Sequence, residues 1–230
     1  MDGATSTTCS SSYRSVSELP AAGPIYEEYL REFKKRWGLD TQEALSLGAY
    51  SKPVLSAEFE IRGKSMYQDS VLMALRNARY QAYTAKLRYY SLTKLRLANR
   101  VFDYGCGVGF LTKYMTAAGH DAVGYDLPGI QTDVARSVGC RIQDPTPKNL
   151  KGRTIICLNV IEHLEEPLAF TRWLVDTGCQ VIANVCMDRC DKQHIAPYGE
   201  LVQCKDLLQE SDSGIYLVTD GKDGDGIQIQ

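Results

Sequence analysis

Four large apolar side chains, Ile25, Tyr29, Phe33 and Trp37, recur every fourth residue after Pro24, with Glu27, Glu28, Lys34 and Lys35 between them. That spacing lines one face of a helix ending near Gly38. Thr41 and Glu43 resemble a helix start and predict a short second helix to Leu47. From Tyr67 to Leu97 the chain is rich in Ala, Leu, Arg and Lys without Gly or Pro, which predicts one long helix. Before all of these, residues 1–18 hold Ser, Thr and Gly and almost no large apolar residue, which predicts a mobile tail. After Arg100 the period changes. Short apolar runs near 100–104, 121–126, 139–143, 153–159, 179–185, 214–219 and 226–230 alternate with helical stretches, the pattern of a parallel sheet covered on both faces. The last two runs, IYLVT and GIQIQ, flank the turn-rich DGKDGDG and predict an antiparallel hairpin.

Charge changes this picture by dividing the chain. The whole carries 26 bases and 28 acids, a net −2, but the first hundred residues have 15 bases against 10 acids and the remainder 11 against 18. A general nucleic-acid coat is excluded. The excess base sits on the long helix: Arg76, Arg79, Lys86, Arg88, Lys94, Arg96 and Arg100 fall in a stretch without an acid, among Tyr80, Tyr83, Tyr89 and Tyr90. Such a face suits either an anionic ligand or plain solvent. The eight cysteines are scattered, several inside apolar runs, and predict reduced, buried thiols. No run reaches the roughly 18 apolar residues of a membrane span, and no signal-peptide core is present, which predicts a soluble, cytoplasmic protein.

Chemistry is most legible in VFDYGCGVGFLTKYM. A strand leads into Gly105, Gly107 and Gly109, and a helix follows. Glycine there permits a sharp turn and close approach of a ligand to the backbone, and a helix N-terminus offers unpaired amides. Seventeen residues past Gly109, Asp126 ends the next strand, where a carboxylate can accept hydrogen bonds from both hydroxyls of a ribose. A dinucleotide fingerprint requires a third glycine where this chain has Phe110, so the fit to NAD or FAD is poor. With Asp103 upstream, D-x-G-x-G-x-G resembles the first motif of the class I S-adenosylmethionine-dependent methyltransferases. N-V-I-E-H-L-E-E-P at 159–167 and the later His194-Ile-Ala-Pro-Tyr198 are similar to motifs of the ubiquinone-biosynthesis-like O-methyltransferases.

The resemblance covers about residues 98–230. It implies a Rossmann-like α/β fold with a seven-stranded, mostly parallel sheet whose last strand is antiparallel, preceded here by a helical extension over 19–98 acting as a lid. It also implies that Asp103, Gly105, Cys106, Gly107 and Gly109 line the methionine end of S-adenosylmethionine, with Cys106 contributing its backbone. Asp126 would hold the ribose, Leu127 would flank the adenine, and Asp144 or its neighbour Gln143 would meet the adenine amino group. Asn159 and Val160 would close the pocket below the sulfonium.

An oxygen acceptor also needs its proton removed. His163 is the first candidate for the base, with Glu162 and His194 as further catalytic candidates. The same three residues are candidate ligands of a divalent metal: ubiquinone-type enzymes and small-RNA 2′-O-methyltransferases carry E-x-x-E-H with a later His, which in the latter implies magnesium. Here position 159 is Asn, so one anionic ligand is missing, and two imidazoles with one carboxylate suit a softer metal. Cys179, Cys186, Cys190 and His194 have no C-x-x-C or paired-His spacing, which argues against a zinc motif.

Three functions remain open on the sequence. One is an enzyme methylating a hydroxyl of a small molecule, with carbon or an ordinary amine as other acceptors; enzymes that methylate amino groups of DNA bases or protein glutamine usually place Pro-Pro and an aromatic where this chain reads V-I-E. Another is an RNA methyltransferase, acting on a cap or a ribose 2′-hydroxyl, that grips its substrate with the basic, Tyr-rich helix. The last is a non-catalytic partner protein that keeps the fold.

Overall fold

The computed structural model describes residues 19–95, 97–187, 193–210, 214–218 and 228–229. The predicted tail, Arg96, Cys190 and the turn between the last two strands lie outside them. Helix α1 (Ala22–Trp37) follows the four-residue period: Ile25, Tyr29 and Phe33 are buried, and Gly38 closes it in a left-handed conformation, φ 69°, with its amide on the Lys34 carbonyl. Helix α2 (Thr41–Arg62) starts as expected, with Asp40 and Glu43 forming a capping box, but runs about four turns past Leu47.

The long helix is interrupted. A single turn, α3 (Met66–Asp69), precedes α4 (Val71–Lys94), because Ser70 leaves the helical conformation and its hydroxyl accepts the Met73 amide as a new cap. Ala74, Leu75, Ala78, Ala85, Tyr89 and Leu92 of α4 enter the same core as α1. His120 is half-buried, with its ring nitrogens 2.9 Å from the Tyr89 hydroxyl and 3.0 Å from the Ala98 carbonyl.

The remainder is an α/β unit. Strands β1 (Arg100–Tyr104), β2 (Asp121–Tyr125), β3 (Thr154–Cys157), β4 (Gln180–Asn184), β5 (Gly214–Val218) and β6 (Gln228–Ile229) form one sheet in the order β2-β1-β3-β4-β5-β6. The first five are parallel and β6 pairs antiparallel with β5. Helices α5 (Phe110–Ala117), α6 (Ile130–Ser137), α7 (Pro147–Leu150), α8 (Pro167–Asp176) and α9 (Tyr198–Glu210) make the connections.

Among the described residues the sheet has six strands, not seven. The run at 139–143 is reduced to one bridge, Ile142 to Gly124, because Gly139 and Cys140 are spent closing α6, with their amides on Arg136 and Ala135. Chain order reverses at β1, since β2 lies on one side and β3 on the other. In such a sheet ligands bind outside the carboxyl ends of the strands at that switch point. The register levels those ends, pairing Tyr104 with both Tyr125 and Cys157, and Cys157 with Ala183.

Candidate functional site

The glycine loop leaves β1 at the switch point. The amides of Gly105 and Cys106 both donate to the Tyr125 carbonyl, which folds the loop over the end of β2. Gly105, Gly107 and Gly109 are all left-handed, with φ of 73°, 57° and 72°. At Gly105 a side chain has no room, since a Cβ would stand 2.3 Å from Cγ2 of Val160. Cys106 is buried, which pushes its thiol well above the ordinary range; the loop uses its backbone.

Asp126 faces this loop from the end of β2. Its Oδ2 accepts the Gly107 amide at 2.6 Å and its Oδ1 the Leu127 amide at 2.7 Å. A carboxylate has about four acceptor sites, so each oxygen keeps capacity for a ribose hydroxyl. Burial raises the Asp126 carboxyl, and the two amides pull it back. Asp103 lies deeper, with Oδ2 accepting the Thr112 hydroxyl at 2.6 Å, and burial lifts its pKa to about 6 against the lowering effect of that bond. Leu127 is exposed. Asp144 is exposed too, with its charge raising the phenol of Tyr125.

The helical extension grips the loop from its other side. Oε1 of Gln81, on α4, accepts the Phe110 amide at 3.0 Å, and Nε2 donates to the Cys106 carbonyl at 3.2 Å. Tyr29 of α1 donates to the Val108 carbonyl at 2.9 Å. Asn77 reaches Gln131, which donates in turn to the Tyr67 carbonyl. Gln81 decides between cofactor classes. A pyrophosphate is held by the first amides of the helix after the loop, and here the Phe110 amide is occupied by a side chain. The arrangement suits a ligand with a ribose and no pyrophosphate at that point.

Beyond β3, Asn159 adopts φ 55°, the one described residue other than glycine with a positive φ. A reciprocal pair holds it: its amide donates to Oδ1 of Asn184 at 2.5 Å, and Nδ2 of Asn184 donates to its Oδ1 at 2.6 Å. Asn tolerates this conformation better than other residues with a side chain, and such strain clusters at functional sites. The turn brings Val160 against Gly105 and starts the 3-10 turn Ile161–His163.

Glu162 is 1% exposed, and burial lifts its pKa to about 7. Nδ1 of His163 lies 2.9 Å from the Gln193 carbonyl, with the Tyr67 hydroxyl 3.4 Å away. The ring of His163 meets that of His194 edge to face at 5.0 Å. All three catalytic candidates thus gather beside the carboxyl ends of β3 and β4. Donor atoms of Glu162, Cys186 and His194 lie within 4.8 Å of one another, a group that does not include His163. All six described cysteines are buried and free.

A family model described as "Methyltransferase domain" matches residues 65–177, just under half of the chain. No curated protein matches the chain. Among solved structures it is similar to magnesium protoporphyrin IX methyltransferase from Synechocystis PCC 6803 with bound SAH, at 24% identity over 55% of this chain and 67% of that one, TM-score 0.36. It is also similar to the plantazolicin methyltransferase BpumL in complex with SAH, at 15% identity, 68% and 56% coverage and TM-score 0.33. A third likeness is to coclaurine N-methyltransferase bound to N-methylheliamine and SAH, at 15% identity, 70% and 56% coverage and TM-score 0.35. The chain spans 56% of the length of the latter two.

The matched segment contains the loop, Asp126, Asn159, Val160 and Glu162, and begins at α3 rather than at β1. Residues 65–177 thus match a methyltransferase domain. The residues present fit S-adenosylmethionine: a turn at Gly105 with no room for a side chain, a carboxylate hydrogen-bonded to the loop with acceptor capacity to spare, and a first helix amide already taken by Gln81.

Residues 67, 77, 81, 131, 186 and 193 were not singled out for the cofactor or base from the sequence. Only Cys186 left a signal there, its spacing from His194.

Proposed function

We propose that the chain methylates a hydroxyl oxygen of a small molecule, with His163 as the general base. The bound cofactor supplies an activated methyl on a sulfonium, so what remains for the protein is alignment and deprotonation. Asp103 and the loop orient the amino-acid end. Asp126 holds the ribose, Leu127 flanks the adenine, Asp144 or Gln143 meets the adenine amino group, and Asn159 with Val160 closes the pocket below the sulfonium.

The observation that carries the base assignment is the 2.9 Å contact between Nδ1 of His163 and the Gln193 carbonyl. A carbonyl only accepts, so Nδ1 carries a proton in this contact, and in the neutral ring the lone pair is then on Nε2, the form a base needs. Glu162 and His194, in the neighbouring segments, remain the further catalytic candidates. His163→Ala should bind S-adenosylhomocysteine as wild type does and lose turnover; normal turnover on an identified hydroxyl acceptor would reject the assignment.

A second reading, a phosphate-bearing acceptor such as RNA, is favoured by one feature. A cavity of about 540 Å³ opens between α1 and α4, lined by Arg76, Arg79, Tyr80 and Tyr83 with Tyr26 opposite. Cationic and aromatic groups together hold phosphates and stack bases. RNA binding that falls steeply with added salt would support this reading, and indifference to RNA would remove it.

A further inference from the structure

The side chain of Glu162 is almost fully enclosed, yet its Oε2 has no hydrogen-bond partner. Burying a carboxylate oxygen without a donor is costly, and native structures keep such an atom where something else completes it. Three elements converge on it. Glu162 comes from the turn after β3, Cys186 from the segment after β4, and His194 from the approach to α9, where the Ala196 amide donates to the Glu162 carbonyl at 3.1 Å.

We propose that Glu162, Cys186 and His194 bind one borderline-soft divalent cation, of which zinc is the type. The donor set is one thiolate, one imidazole and one carboxylate, with donor atoms all within 4.8 Å of one another. A tetrahedral ion with bonds of about 2.0–2.3 Å holds its donors about 3.5 Å apart, so closing the site takes shifts on the order of 1 Å. Binding replaces the thiol proton of Cys186 by the metal and releases that proton to solvent.

The hard-cation alternative does not fit. Magnesium asks for an octahedron of oxygens, whereas two of the three donors gathered here are a sulfur and a ring nitrogen. Three protein donors leave a fourth position for an outside oxygen, as in open zinc sites. That this oxygen is the acceptor hydroxyl rests on the function proposed above. Binding of the ion does not.

The test uses the full chain, stripped with a chelator and titrated with cobalt(II) as a coloured substitute for zinc. One equivalent should give an intense near-ultraviolet sulfur-to-cobalt band with visible bands of a tetrahedral ion, and zinc should displace it while millimolar magnesium should not. Cys186→Ser should abolish the sulfur band, Glu162→Gln should weaken binding at least tenfold, and His163→Ala should leave the spectrum intact. Because Cys186 is buried and its replacement can unfold the chain, X-ray absorption of the zinc-loaded wild type gives a second reading: one sulfur near 2.3 Å with nitrogen or oxygen near 2.0–2.1 Å. No sulfur band, a band that survives in folded Cys186→Ser, or a zinc shell without a single sulfur would each overturn the proposal. Because none of these readouts involves methyl transfer, loss of the metal site and loss of the enzymatic reading are separable.

Discussion

The Gly107 amide donates to Oδ2 of Asp126 across 2.6 Å, so the residue that would hold the ribose also fixes the loop that would hold the methionine end. The two tasks are coupled through one carboxylate. Asp126→Ala should therefore weaken S-adenosylhomocysteine by about 1.5–3 kcal/mol, the worth of hydrogen bonds to a charged group. Asp126→Asn, which keeps an acceptor for Gly107, should lose less. Calorimetric titration of both variants checks the order.

Gly105→Ala places a methyl 2.3 Å from Cγ2 of Val160 on a backbone at φ 73°, so the turn must move. Cofactor affinity should fall at least tenfold. Adding Val160→Ala removes the clashing carbon but leaves the left-handed strain of about 1–2 kcal/mol, so the double variant should recover only part of the affinity.

Asp103 gives the cofactor-free protein a pH signature. Its pKa is raised from 3.8 to about 6 by burial, so between those values the folded chain keeps a proton that the unfolded chain has lost. Its contribution to stability is complete below pH 3.8 and disappears as pH rises through about 6, a change of about 3 kcal/mol at most. Urea unfolding from pH 4 to 7 should show this fall in wild type, and Asp103→Asn should show a smaller one, the remainder coming from Glu162 and Asp126, whose carboxyls burial also raises.

Arg153 tests the separation of scaffold from site. Its buried guanidinium donates to the carbonyls of Val101, Asp121 and Asn149 and pairs with Asp121 at 3.0 Å, at the amino ends of the strands, away from the pocket. Arg153→Met should destabilise the protein by about 3 kcal/mol and leave S-adenosylhomocysteine affinity unchanged at temperatures where it is folded.

What the sequence disclosed, it disclosed through local chemistry. The turn at Gly105–Gly109 announces itself in three alternating glycines, all left-handed, although its hydrogen bonds run to Tyr125 and Asp126, and the period of Ile25, Tyr29 and Phe33 survives in any fold that buries one face. Gln81 left no such trace, because it meets the Cys106 carbonyl 25 residues away and a glutamine within a helix has no pattern of its own. The run at 139–143 reads as a strand by composition, yet Gly139 and Cys140 are claimed by α6. Cys186 stands in easy register with His194, but Glu162 joins them only because β3 and β4 are adjacent in the sheet.

The most direct trial of the whole account is calorimetric titration of the full chain with S-adenosylhomocysteine. One equivalent bound by wild type, with clear loss in Gly105→Ala and Asp126→Ala, is the predicted result. Absence of binding, with uptake of a nicotinamide or flavin dinucleotide in its place, would contradict it.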